Sequence, residues 1–184
     1  MTKSICIALN DAMRRAGFTA LCLPVLSVLL LLGAVSPAVA QPANDNAAQA
    51  EIIAGLSGSL AGSNVAATEE AGEPSHFQLS SIGASIWYRW TAPSNTLVTF
   101  DTLGSAGDID TVMAVYIGGP AYNTMTLVAN DDDGAGSLKS RVIFNAVSGQ
   151  EYYIALDGYD YGEGSQTGSL VLNWAPGAAL PLVV

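Results

Sequence analysis

Between Leu56 and Trp174 the apolar residues recur in short runs, most of them alternating with polar ones and broken by Gly, Pro, Asn or Asp. Leu97 to Thr102 places Val98 and Phe100 on one face and Thr99 and Asp101 on the other, the period of two of a half-buried strand. Arg141 to Asn145 repeats the pattern with Val142 and Phe144 inward, and Gly168 to Trp174 with Leu170, Leu172 and Trp174. Thr111 to Ile117 is apolar on both faces, as a central strand covered on both sides would be. Ile86 to Thr91 is aromatic and stops before Pro93, which cannot donate to a ladder. Tyr152 to Leu156 follows a Ser148-Gly149 turn, Thr126 to Ala129 runs into an acidic cluster, and Leu56 to Gly62 reads as a weak first strand. Ahead of these, Asp45 is placed to cap a brief helical turn through Ala47 to Ala50, and Glu69 to Ser85 reads as a long loop. About eight short strands at steps of roughly 10 to 16 residues predict an all-β fold. The expected architecture is a two-sheet β-sandwich of jelly-roll type, with a closed barrel as its competitor.

The start of the chain follows a different rule. Lys3, Arg14 and Arg15 precede an almost unbroken apolar stretch, Phe18 to Leu32, and Ser36-Pro37-Ala38-Val39-Ala40 offers small residues ahead of Gln41. That is the pattern of a signal peptide over residues 1–40. The stretch contains Pro24 and is short for a membrane span of ~20 residues, which argues against an uncleaved anchor. The predicted organisation is a leader over 1–40, one domain over 41–176 and a short tail over 177–184. Export through the inner membrane follows, to a secreted, periplasmic or cell-surface location, with no membrane insertion after the leader is removed.

Leader removal sharpens the composition. Cys6 and Cys22 leave with it, so the remaining chain can form no disulfide even in an oxidising compartment. Three basic side chains (Arg89, Lys139 and Arg141) then face fifteen carboxylates, a net charge of about −12. Such a surface repels nucleic acid and anionic membranes and favours cations. The roughly 144 residues left suffice for one hydrophobic core and not for two, and a monomer is expected.

Carboxylates crowd the predicted loops: Asp108 and Asp110 before the central strand, Asp131, Asp132 and Asp133 after the next, Asp157 after a later one. Alternate loops of a jelly roll gather at one end, and a hard cation accepts 6–8 oxygens at once, so calcium is the candidate cofactor for these six residues. The competing reading is turn chemistry, because Asp and Asn bond their own backbone. Asn44 and Asp45 are weaker candidates for the same site. His76 is the only histidine; zinc would want three or four His or Cys ligands. With no Gly-x-Ser-x-Gly and no cysteine nucleophile after residue 40, a hydrolase is disfavoured, and His76 reads as a loop residue ordered by Glu73 or Pro74. Tyr159 and Tyr161, two apart, face the same way if the segment is extended, and exposed aromatics of that kind stack on sugar rings or anchor protein interfaces. Trp87 and Trp90 fall on opposite faces of their strand and are both expected to pack.

The order of these signals also carries a resemblance. Asn44-Asp45-Asn46, Gly72-Glu73-Pro74-Ser75-His76, Trp87-Tyr88-Arg89-Trp90-Thr91-Ala92-Pro93, Phe100-Asp101-Thr102, Asp110-Thr111 with Ala114-Val115-Tyr116, Asn130-Asp131-Asp132, Ser140-Arg141-Val142 and Tyr153 to Tyr159 follow one another along Asn44 to Trp174. In this the chain resembles the bacterial pre-peptidase C-terminal domain, here standing without a peptidase. The resemblance implies a jelly-roll sandwich appended to exported peptidases and other secreted enzymes, assisting secretion, localisation or substrate binding, with some relatives binding calcium or collagen. The expectation is therefore a secreted, non-catalytic binding or accessory module contacting an extracellular protein or polysaccharide. The alternatives are a small secreted hydrolase using loop carboxylates and a cell-surface adhesion or envelope protein.

Overall fold

A computed structural model describes residues 39–77 and 83–177 of the chain; nearly all of the expected leader and tail lie outside them. Among the described residues nine strands form two sheets: β1 (Glu51–Ile53), β2 (Gly58–Ser63), β3 (Ile86–Thr91), β4 (Thr96–Asp101), β5 (Thr111–Ile117), β6 (Thr126–Asp131), β7 (Arg141–Ala146), β8 (Glu151–Gly158) and β9 (Ser169–Pro176). One sheet runs β1-β3-β8-β5-β6 and the other β2-β9-β4-β7. Every pairing is antiparallel except β1 with β3. The chain crosses between sheets at every connection but β5–β6, giving the two-sheet sandwich that the strand spacing predicts.

The two sheets differ in how they are covered. In β4, β7 and β9 buried residues alternate with exposed or half-exposed ones, because the outer face of that sheet meets solvent. In β3, β5 and β8 nearly every residue is buried. Their inner side chains, among them Tyr88, Trp90, Met113, Val115, Ile154 and Leu156, meet Phe100, Phe144, Leu170, Leu172 and Trp174 from the facing sheet. Their outer side chains build a second cluster of Trp87, Ala114, Tyr116, Tyr153 and Ala155, covered by Ala47, Ala50, Tyr122 and Met125. Trp87 and Trp90 are thus both fully buried, one in each cluster.

The structure adds one strand to those read from the sequence and reassigns one cap. The strand count is nine, because the three residues of β1 are too few to show a period; only the parallel pairing of Glu51 with Tyr88 and Ile53 with Trp90, across the intervening β2, makes them a strand. The short 3-10 turn Ala47–Gln49 is capped by Asn46, not Asp45: extended Asn46 accepts from the Ala48 amide at 3.0 Å. Asp45 instead accepts from the amide and hydroxyl of Thr68, at 2.8 and 2.9 Å, tying the start of the domain to the segment that follows β2.

Candidate functional site

The antiparallel ladders place three loops at one end of the five-stranded sheet. Thr111 at the start of β5 pairs with Gly158 at the end of β8, and Met113 pairs with Asp131 at the end of β6. The segments carrying Asp110, Asp131 to Asp133 and Asp157 to Tyr161 therefore converge.

Of the six carboxylates expected there, three come together: Asp110, Asp132 and Asp133 each offer an oxygen within 4.8 Å of the others. Asp110 is held on several sides. Its amide donates to Gln166 Oε1 at 2.8 Å, its carbonyl accepts from the Tyr159 amide at 2.8 Å, and Tyr161 donates its hydroxyl to Oδ2. Oδ1 of Asp110 and Oδ1 of Asp132 are buried and have no hydrogen-bond partner among the described residues. No lysine or arginine nitrogen of the described residues lies within 4.0 Å of the three carboxylates. Lys139, buried nearby, donates its ammonium to the Ile109 carbonyl at 2.6 Å. Partial burial, then the charges of Asp110 and Asp133, push the Asp132 carboxyl up to about 6. The facing carboxylates of Asp110 and Asp132 can share a hydrogen bond only through an added proton; with both ionised, neither supplies a donor. The hydrogen bond to Asp110 holds the Tyr161 hydroxyl up at about 12.

The other three carboxylates do different work. Asp131 Oδ2 accepts from the Gly134 amide at 2.6 Å and the Arg141 amide at 2.8 Å, closing the β6–β7 turn. A side chain at position 134 would begin 2.5 Å from that oxygen, so the approach needs glycine. Asp108 is exposed and lines a shallow cavity with Ile109, Gln166 and Thr167. Asp157 is buried beneath Gly83 and Gly158, whose amides donate to it at 3.3 and 2.7 Å.

Burial pushes the Asp157 carboxyl up to about 6, against the charge of His76 and the two amide bonds, which favour its ionised form. A folded-state value above the ordinary 3.8 means the native state holds a proton that the unfolded chain has released. This contribution is present below pH ~4 and is lost as pH rises through ~6. Asp157→Asn should therefore gain stability relative to the natural chain across pH 4 to 6, by up to about 3 kcal/mol, and the difference should level off above pH ~7. Urea unfolding of both proteins at pH 4, 5, 6 and 7 measures it; a pH-independent difference would contradict the assignment.

Tyr159 and Tyr161 pack ring to ring, with centroids 4.8 Å apart. Tyr159 is half-buried and Tyr161 is 66% exposed. The Asp160 carboxylate turns this loop by accepting from the amides of Gly162 and Gly164, at 2.6 and 2.9 Å. At Gly158, just before it, the Gln166 carbonyl would lie 1.9 Å from any added Cβ, so the loop can lie back on β8 only over a glycine.

Two groups of residues behind the loops carry no loop signature in the sequence. Thr102, Thr111 and Ser140 form a buried hydroxyl triangle, with Thr111 Oγ1 2.7 Å from Thr102 Oγ1 and 3.0 Å from Ser140 Oγ. The Ser140 amide donates to Thr102 Oγ1 at 3.0 Å, so the triangle pins the segment before β7 against those flanking β4 and β5. All three belong to the short motifs Phe100-Asp101-Thr102, Asp110-Thr111 and Ser140-Arg141-Val142 that carry the resemblance in the sequence. The second group surrounds His76, which is buried rather than displayed on the surface. Glu73 Oε1 accepts from His76 Nε2 and Trp87 Nε1, each at 3.1 Å, and from Ser85 Oγ; Oε2 accepts from the Glu70 amide at 3.1 Å. His76 Nδ1 meets the Tyr116 hydroxyl at 2.9 Å. Burial raises the Glu73 carboxyl, but the bonds from His76 and Ser85 and the His76 charge outweigh it and hold it below its ordinary value.

Comparison with known proteins adds sequence and fold likenesses. Residues 84–158 match the family model of the bacterial pre-peptidase C-terminal domain. Among solved structures, the chain is similar to the pre-peptidase C-terminal domain of collagenase from Bacillus anthracis, with 17% identity over 68% of this chain and 92% of that one and a TM-score of 0.42. It is also similar to PliG, a periplasmic inhibitor of g-type lysozyme from Aeromonas hydrophila, with 15% identity over 68% and 96% of the two chains and a TM-score of 0.40. No curated protein matches the chain.

Proposed function

Because residues 84–158 match the family model of the bacterial pre-peptidase C-terminal domain, we propose that the protein is an exported, non-catalytic accessory module. It binds an extracellular protein or polysaccharide through the loop end of its five-stranded sheet. The observation that carries this reading is the fate of the one histidine. His76 is 2% exposed, with both ring nitrogens engaged by Glu73 and Tyr116, and Ser85 is bonded to the same Glu73 oxygen. A nucleophile, base and orienting carboxylate serve hydrolysis only where a substrate can reach them. Here those residue types meet in a buried network that ties Glu73 and His76 to Trp87 and Tyr116 of the sheet. The contact-capable group is Tyr161, a rigid aromatic with its ring outward and its hydroxyl fixed on Asp110. Aromatic anchors of this kind contribute contact area at small entropic cost.

Arrays of glycans and extracellular matrix proteins, probed with the full protein and with Tyr161→Ala, test the reading. Retention on one class, weakened about tenfold or more by Tyr161→Ala, corresponds to a loss of ~1.4 kcal/mol and supports it. Turnover of peptide, ester or glycoside substrates that Asp132→Asn abolishes without lowering Tm would make the protein a hydrolase instead.

A further inference from the structure

We propose that Asp110, Asp132 and Asp133 form a divalent-cation site of calcium type that fastens the β4–β5, β6–β7 and β8–β9 loops together. The site is argued from its own geometry and stands whether or not Tyr161 contacts a partner.

Acidic residues on loops are ordinary, and three of those here are accounted for by backbone amides: Asp131, Asp157 and Asp160 each accept from two of them. Asp110 is different. It is 2% exposed, yet its Oδ1 accepts no hydrogen bond among the described residues, and the Asp132 oxygen of the same name is equally unpartnered. A buried carboxylate oxygen without a donor is costly, and two such oxygens beside a third carboxylate add like-charge repulsion. Among the described residues no ammonium or guanidinium is turned toward these oxygens. Lys139, the buried ammonium nearby, is directed at the Ile109 carbonyl, and Arg141 pairs with Asp101 instead, 3.8 Å away. Tyr161 satisfies Oδ2 of Asp110 alone.

The donor set selects the ion. All three side chains offer only carboxylate oxygen, which suits hard cations and gives zinc or copper none of the nitrogen or sulfur they favour. Oxygens bound to one calcium at 2.3–2.6 Å lie at most about 4.6–5.2 Å apart, and the three ligand oxygens already fall within 4.8 Å of one another. The positions are also fixed in advance. Asp110 is anchored through Gln166 and Tyr159, and the β6–β7 turn is closed by Asp131 and backed by the Thr102–Thr111–Ser140 triangle. An ion there would join Asp110 to the β6–β7 turn directly and to the Tyr161 loop through the tyrosine hydroxyl.

The test is thermal unfolding of the full protein in EDTA and then in about 1 mM calcium or magnesium, with terbium luminescence as a direct readout. Terbium takes calcium-like oxygen sites and is sensitised by nearby tyrosine, here Tyr161. The expected results are a rise in Tm of roughly 4–7 °C in calcium for a site of about 10⁻⁴ M affinity and a saturable one-to-one terbium signal. Asp132→Asn and Asp133→Asn should remove both responses while unfolding no lower in EDTA than the natural chain, since each lessens the repulsion. Asp133 is exposed, so its variant tests the site without threatening the core. No shift and no terbium signal would overturn the proposal. So would responses that both variants retain, which would put the ion elsewhere, and a stronger response to magnesium would overturn the calcium assignment.

Discussion

Glu73→Ala should lower the stability of the domain by about 3–5 kcal/mol, the range for removing one partner from a buried, charge-bearing network. The side chain is fully enclosed, and one of its oxygens serves His76, Ser85 and Trp87 together. Without it three buried donors face a void, each with a desolvation cost of ~1–3 kcal/mol, and water entering the space would recover part of that. The loss would spread, because His76 also holds Tyr116 through Nδ1 and Asn130 through its carbonyl, which accepts from Asn130 Nδ2 at 2.8 Å. Glu73→Gln keeps an oxygen for these donors and should fall between the two proteins. Denaturant unfolding at pH 7 measures the series, and a cost below ~1 kcal/mol for Glu73→Ala would show that the network does not hold the loop. Against a typical total of ~5–15 kcal/mol, the alanine variant is left close to its limit.

Trp90→Ala should cost a similar amount, about 3–5 kcal/mol, by a different mechanism. Trp90 stands edge-on to Phe100 of the facing sheet, with centroids 5.4 Å apart, and lies tilted against Tyr152 on the neighbouring strand at 5.8 Å. Its indole nitrogen donates to the Gly55 carbonyl at 2.9 Å, so it also fastens the β1–β2 connection. Truncation opens a cavity between the sheets that rigid aromatic neighbours cannot collapse to fill. Trp90→Phe restores most of the ring volume without the donor and should recover more than half of the loss. Calorimetry should show Tm lower by ~10–20 °C for the alanine variant; a fall of only a few degrees would mean that the sheets repack around the gap.

These two residues mark where the sequence was readable and where it was not. Trp90 lies in a strand whose limits, Ile86 to Thr91, follow from composition and Pro93, and its burial follows from its size. Glu73 lies in a segment that reads only as a loop rich in Gly, Pro and Ser. Nothing local distinguishes a solvated loop glutamate from one enclosed by Trp87 and Ser85, because the enclosing residues belong to a strand that begins beyond the loop. Of the two neighbours offered for His76, Glu73 or Pro74, Glu73 is the one that bonds it; Tyr116 arriving from β5 bonds the other ring nitrogen.

The acidic loops divide in the same way. Carboxylates on turns of a strand-rich chain are visible in Asp108 to Asp110, Asp131 to Asp133 and Asp157, since turn residues announce themselves. Which of them meet is set by the sheet order, with β5 between β8 and β6, and that order comes from pairing over distances no local pattern encodes. The period of two marks β4, β7 and β9 with their inward faces, and unbroken apolar or aromatic runs mark β3 and β5. Neither pattern marks β1, whose three residues become a strand only by pairing with β3. Side-chain alternation is a property of neighbours in the chain. The choice of Asp110, Asp132 and Asp133 from six candidates, and the enclosure of Glu73, depend on neighbours in space, and those exist only once β3, β8, β5 and β6 have paired into the five-stranded sheet.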